Sequence, residues 1–208
     1  MQPATTTIPP QQRGSQTDTV HRIYVPDIIQ AHIHFLNSCQ KLLKVNDWKQ
    51  VSGNKGASFQ LIDELGKSLQ GHAREGDFIR IGMPLPSPSE NGEGYDWVRI
   101  EKIEKDQLDG LEWMAIRVRP AIPPFNQQST QKDRQTIAHF FAPGATSSFI
   151  VERRHHHLIA SVNGRNETPN LKTPGLFTRI RNFMIAIAAM LGLNKSQWKA
   201  LAKGLLEH

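Results

Sequence analysis

Between Asp77 and Asn163 the chain alternates apolar and polar residues in short runs, and side chains two apart share one side of a strand. One parity set is apolar: Ile79 and Ile81; Val98 and Ile100; Met114, Ile116 and Val118; Phe149 and Val151; Leu158, Ala160 and Val162. A period of two sustained over so many runs demands a sheet with one buried face. The opposite set holds Phe78 and Arg80; Trp97, Arg99 and Glu101; Trp113, Arg117 and Arg119; Glu152 and Arg154. Guanidinium planes stack on indoles and pair with carboxylates or phosphates, so this mosaic is either a recognition surface or a solvated outer face. The solvated face is favoured, with Glu101 and Glu152 neutralising neighbouring arginines across strands.

Turn residues divide the runs into candidate strands: Ser58–Asp63, Leu69–Arg74, Asp77–Met83, Tyr95–Ile103, Leu111–Arg119, Thr136–Phe141, Thr146–Arg153 and His157–Asn163. Val20–Val25 reads as a further short strand, after which Pro26 opens a helix. In that helix Ile28, His32, Phe35, Leu36, Cys39, Leu42 and Leu43 recur at helical spacing and are expected to bury one side. After Pro169 the period is helical again: Thr173 caps an apolar helix over Leu176–Leu191, Gly192 stops it, and Asn194 caps a second helix carrying Trp198, Leu201, Ala202 and Leu205.

The expected fold is therefore α+β, an antiparallel curved sheet or small β-barrel of about six to eight strands. One amphipathic helix precedes the sheet and a carboxy-terminal helical hairpin follows it. Residues 1–18 are Thr-, Gln- and Pro-rich and are expected to be disordered; 19–170 form the body and 171–205 the hairpin. Leu206, Glu207 and His208 look like the start of an appended purification tag.

The net charge of +6 is concentrated in the tail. Residues 1–167 carry 19 Lys and Arg against 18 Asp and Glu, whereas Thr168–Leu205 carries Lys172, Arg179, Arg181, Lys195, Lys199 and Lys203 and no acid. A basic tail on a neutral body fits docking to an acidic partner or a second copy, and fits equally the solvated faces of two helices. Arg179, Arg181, Lys195, Lys199, Lys203 and Trp198 are the candidate partner-binding residues. Cys39 stands alone, so no internal disulfide and no cysteine-based zinc cage can form. The longest apolar run, Phe183–Leu191, has nine residues and is too short to span a bilayer. With no secretory signal at the start, a cytoplasmic location is expected.

Candidate ligand-binding residues are Arg117, Arg119, His139, Arg165, Glu167, Trp97 and Trp113. His139 lies among aromatics, where burial keeps it neutral; a structural histidine is favoured over a general base. Asp96 stands where a loop meets a strand, and ordering the turn is its favoured role. Arg165 and Glu167 read either as a ligand-orienting pair or, preferably, as a tie between the last strand and the tail helix. Asn166-Glu167-Thr168 fits a glycosylation sequon, taken as fortuitous without a secretory signal. His155, His156 and His157 fall on a turn, point apart and are completed by no further ligand, so no metal site is expected. Phosphate-loop, dinucleotide-binding, nucleophile-elbow and zinc-protease signatures are missing, and no cofactor is expected.

The order strand, helix, run of antiparallel strands, long carboxy-terminal helix resembles the helix-grip arrangement of START-like lipid-binding and polyketide-cyclase-like domains. The resemblance lies in element order and in no residue motif, so no functional residue is carried over. It implies a pocket between a curved sheet and the last helix, lined by Phe177, Ile180, Phe183, Met184 and Ile187. Three functions are thus expected in order. The first is a non-catalytic binding or assembly module acting through its basic hairpin, with a protein partner or homo-oligomer. The second is a protein, possibly an enzyme, that binds a small apolar or anionic ligand in a START-like cavity. The third is nucleic-acid binding.

Overall fold

The computed structural model describes residues 4–54, 56–82, 93–108, 110–125, 139–169 and 196–207. Seven strands are β1 (Ser15–Tyr24), β2 (Ser58–Ile62), β3 (Phe78–Gly82), β4 (Asp96–Leu108), β5 (Leu111–Pro120), β6 (Thr146–Arg154) and β7 (His157–Glu167). They form one antiparallel sheet in the order β1-β7-β6-β5-β4-β3-β2. β1 and β2 are the opposite edges, so the sheet is open and curved and not a closed barrel. His155, at φ 54°, turns β6 into β7 at the expected hairpin.

The apolar parity set is the core face. Ile79, Val98, Ile100, Ile116, Val118, Phe149, Val151, Leu158, Ala160 and Val162 are all buried in one cluster, with Ile81 and Met114 partly buried against it. Helix α1 (Ile28–Leu43) lies on this face over β5, β6 and β7. Its cap is Asp27, whose carboxylate accepts from Ile29 N and Gln30 N at 2.8 Å each, so Pro26 precedes the cap. The buried side is Ala31, Phe35, Ser38, Cys39 and Leu42. Ile28 and Leu36 are instead 42% and 47% exposed, together with Ile29 and Ile33, because the stripe that meets β6 is set by Phe35, Cys39 and Leu42. A short helix α2 (Trp48–Val51) sets Trp48 into the core, its indole N–H donating to Leu42 O at 3.1 Å.

The last described helix, α3 (196–206), closes the core. Leu201, Ala202, Leu205 and Leu206 are at most 1% exposed, one continuous face at spacings of three and four. Leu206 is thus a core residue, and its carbonyl lies 2.6 Å from His34 Nε2. This half of the expected hairpin packs its apolar face into the core of the body. The apolar helix expected over Leu176–Leu191, with Phe177, Ile180, Phe183, Met184 and Ile187, lies outside the described residues.

Four further expectations change. Over residues 4–18 the chain is structured: Ala4–Thr7 forms a 3-10 turn and Ser15 already begins β1. Asn166, at φ 57°, anchors this segment, its Oδ1 accepting from Gln12 N at 2.8 Å and Arg13 N at 3.2 Å. The Asn166 amide nitrogen donates to Pro10 O at 3.3 Å, so the side chain of the sequon is engaged within the fold. Leu69–Arg74 does not form a strand, since after the Ile62–Ser68 bridge Gly71 takes φ 95° and Ala73 N turns to Leu43 O. Of Thr136–Phe141 only His139 onward is described, and Phe141 makes a single bridge to Pro169.

The fourth change concerns the mosaic face. Phe78, Trp97 and Trp113 are 1%, 2% and 4% exposed, so this face is partly covered and not wholly solvated. Ile62 and Ala121 pack on Phe78 and Trp97, Phe125 stands edge-on to Trp97 at 5.5 Å, and Ala4 and Ile8 cover Trp113. Glu101 does pair across strands: Arg117 Nε donates to it at 3.1 Å, and Arg119 holds it through Nε and Nη2. Glu152 pairs instead within its own strand, with Arg154 Nε at 2.7 Å.

Candidate functional site

On the core face, a cavity of about 50 Å³ lies between β2–β7, α2 and the start of α3. Its walls are aromatic and aliphatic: Trp48, Phe59, Ile79, Val98, Phe140, Phe141, Phe149 and Trp198 among others. Trp198 stands edge-on to Phe149 at 5.3 Å and tilted against Phe59 at 6.1 Å, so it borders the cavity while partly buried. Besides the two indoles, five polar side chains reach the walls: Asp96, His139, Ser147, Glu167 and Gln197. Among the described residues no lysine or arginine lines it.

Each polar group is delivered by a different piece of chain. Asp96 is the first residue of β4 and, opposite Ile81, shares the core-facing parity of Val98; it is fully buried. His139 is 7% exposed, stacks on Phe140 at 4.7 Å between centroids, and accepts from Phe141 N through Nδ1 at 2.9 Å. That bond leaves Nε2 to carry the proton of the neutral ring. Burial pushes the His139 pKa down, opposed by the negative charge of Asp96 and by the Phe141 contact. Burial thus favours the neutral ring, which is hydrogen-bonded to Phe141 N.

Glu167 comes from the end of β7. The αL turn at Asn166 and the bulge between Ser15 and Thr17 bring its side chain back over Gly164, where Thr17 Oγ1 donates to Oε1 at 3.1 Å. Burial raises the Glu167 pKa, Thr17 and Arg165 oppose the rise, and Asp18 reinforces it. Its Oε2 is buried and has no hydrogen-bond partner among the described residues. Gln197 arrives on α3; its Oε1 accepts from Ala57 N at 3.1 Å, which aims Nε2 away from that loop. Gln197 Nε2 is likewise buried without a partner among the described residues.

Of the residues singled out by sequence, the cavity gathers Asp96, His139 and Glu167, and takes Trp198 from the partner-binding set. Arg117 and Arg119 lie on the opposite face with Glu101, and Trp97 and Trp113 lie on that face in two separate apolar clusters. Among the described residues Arg165 ties β7 to β1, its Nη1 meeting Asp18 Oδ1 at 2.8 Å and Thr17 O at 3.3 Å, while the tail helix it was expected to reach lies outside them. Lys199 and Lys203 are exposed on α3, while Arg179, Arg181 and Lys195 lie outside the described residues. Of the three turn histidines, His156 Nδ1 lies 3.2 Å from Val25 O, and the His156 and His157 rings both border Tyr24, at 5.8 and 5.3 Å between centroids. Among the described residues no cluster of three or more His, Cys, Asp or Glu could hold a metal, and no helix is long and apolar enough to cross a membrane.

Sequence reasoning missed Gln197, whose polarity at a core-facing helical position is a signal only once the helix phase is known. It also missed a buried ion pair at the far end of the sheet. Arg153 Nε of β6 donates to Glu112 Oε2 of β5, and His32 Nδ1 of α1 lies 2.9 Å from the same oxygen. The side chains of Glu112 and Arg153 are 2% and 7% exposed. Nearby, burial and the Glu112 charge push the Cys39 thiol up to about 12, which makes it unreactive.

No protein-family profile matches the chain, and neither does any curated protein. Among solved structures it is similar to XoxI from Bacillus cereus, at 12% identity over 93% of this chain and 97% of that one, with a TM-score of 0.35. It is similar to major latex-like protein 151 from Panax ginseng, at 11% identity over 86% and 96%, with a TM-score of 0.34. It is also similar to norcoclaurine synthase from Thalictrum flavum, in complex with dopamine and hydroxybenzaldehyde, at 11% identity over 97% and 96%, with a TM-score of 0.33. At scores this low the likenesses assign neither a family nor an activity to this chain.

Proposed function

We propose that this protein binds a small organic ligand in the cavity between the sheet and α3. The observation that carries this reading is the pair of orphaned polar atoms, Glu167 Oε2 and Gln197 Nε2, in a wall that is otherwise largely apolar. A buried polar atom without a partner costs about 1–3 kcal/mol, which a ligand supplying the missing bonds recovers. An apolar concavity with a few convergent polar groups is the usual form of a small-molecule site. Binding is read by thermal unfolding and by the fluorescence of Trp48 and Trp198, both in the wall. A saturable rise in Tm that disappears when Ala57→Leu fills the cavity supports the reading; a rise unchanged by that substitution, or none with any small ligand, overturns it.

A second proposal, the basic docking tail, is supported by the outward placement of Lys199 and Lys203 on α3. Light scattering at two salt concentrations tests it: an oligomer weakened by salt and by Lys199→Glu with Lys203→Glu supports it, and a salt-independent monomer counts against self-assembly.

A further inference from the structure

We infer that the outer edge of β1 is a self-association surface, on which a second copy of this chain seats its own β1 antiparallel about a two-fold axis through Val20. The inference is independent of the ligand-binding reading and uses a different surface from the basic tail.

The backbone supplies the first observation. β1 is a ten-residue edge strand, and among the described residues no strand pairs with its outer side. Val25 N donates to His156 O at 2.9 Å, continuing the register in which Tyr24 lies opposite His157. In an antiparallel ladder alternate residues turn both backbone groups to the same neighbour. Thr19, His21 and Ile23 therefore bond β7, whereas Asp18, Val20, Arg22 and Tyr24 turn their N–H and C=O groups outward. Edge strands are ordinarily guarded by proline, lysine or a bulge. From Thr17 to Tyr24 this one has none of them, the bulge of β1 lying between Ser15 and Thr17.

The side chains select the partner. The four outward-bonding residues share the outer face of the sheet, where Val20 and Tyr24 are 44% and 60% exposed and Asp18 and Arg22 are exposed beside them. Two copies of the strand related by an axis through Val20 place Val20 opposite itself and Asp18 opposite Arg22 twice, each pair exchanging backbone hydrogen bonds. Arg165 holds Asp18 through Oδ1, which leaves Oδ2 for a second guanidinium; Arg22 has no ion-pair partner among the described residues. Moving the axis to Asp18 or Arg22 sets like charges opposite each other, and moving it to Thr19 or His21 sets Val20 against a charged residue. Of these registers only the one through Val20 pairs opposite charges.

Sedimentation velocity of the full chain over a concentration series tests the dimer. The parent is expected to dimerise reversibly. Arg22→Glu sets a carboxylate opposite Asp18 and should raise the dissociation constant about tenfold or more. Val20→Pro deletes an outward N–H, which an edge strand tolerates, and should abolish the dimer. Cysteines report the register, because the Cα atoms of the two copies lie about 5.5 Å apart at position 20, within disulfide reach, and about 14 Å apart at position 22. Mild oxidation should therefore link Val20→Cys into a dimer and leave Arg22→Cys unlinked, Cys39 being buried. A monomer at every concentration overturns the inference. So does a dimer that Arg22→Glu leaves intact and Lys199→Glu with Lys203→Glu disperses, which would place the contact on the basic tail. Equal cross-linking of the two cysteine variants overturns the register through Val20.

Discussion

The carboxylate of Glu167 lies directly over Gly164, in the space that any larger residue would fill. A Cβ at position 164 would run into Glu167 Oε1 and stand 2.5 Å from Thr17 Oγ1. Gly164→Ala must therefore expel the carboxylate from its bond with Thr17. The expected cost is about 1–3 kcal/mol of stability, with loss of binding at the cavity. Urea unfolding and calorimetry of the variant measure the two effects, and an unchanged Cm would show that Glu167 does not need this space.

Burial raises the Glu167 pKa above its ordinary 4.5, so the folded chain holds this proton more tightly than the unfolded one. Its favourable contribution is complete below pH 4.5 and is lost as the pH rises through the folded value. Glu167→Gln has no such proton to lose. Relative to the parent it should gain stability as the pH rises above 4.5 and level off once the pH has passed the folded value; a difference that stays flat across a series of denaturant midpoints would contradict the raised value.

Glu112 and Arg153 form an ion pair almost wholly removed from water. Removing one partner strands the other, so Glu112→Leu alone should cost about 3–5 kcal/mol. Glu112→Leu with Arg153→Met should recover most of that loss. A double-mutant cycle in urea gives the coupling, and additive losses would mean that the two groups act independently.

Asn166 holds a left-handed backbone and binds the segment that leads into β1 through Gln12 N, Arg13 N and Pro10 O. Asn166→Gly keeps the backbone conformation and removes the bonds; Asn166→Ala removes the bonds and adds strain of about 1–2 kcal/mol. Amide exchange over residues 4–14 should quicken in both, with only the alanine variant losing clearly more global stability. Unaltered exchange in both would show that the segment is held by Ala4 and Ile8 on Trp113 and not by Asn166.

The core-facing half of each strand was legible in the chain itself. Alternation is a local property: Val98 and Ile100, or Phe149 and Val151, point the same way whatever the strands pair with. The cap of α1 at Asp27 was less plain, because Pro26 beside it carries a competing start signal. For α1 the choice between Phe35 with Cys39 and Ile28 with Leu36 as the buried stripe depended on which side met β6, and several apolar residues satisfied either choice.

Tertiary structure alone decided what covers the outer face and what meets in the cavity. Trp113 is buried because Ala4 and Ile8, more than a hundred positions earlier, cross β5, and nothing in the alternation of β5 records that. Asp96 and Gln197 likewise lie about a hundred positions apart, with His139 and Glu167 between them. Strand parity and helix phase assign each a direction, whereas their meeting requires the register of the intervening strands and the docking of α3. Local periodicity, which depends on backbone geometry, therefore determined the core face. Long-range packing, which depends on the whole set of pairings, determined the site.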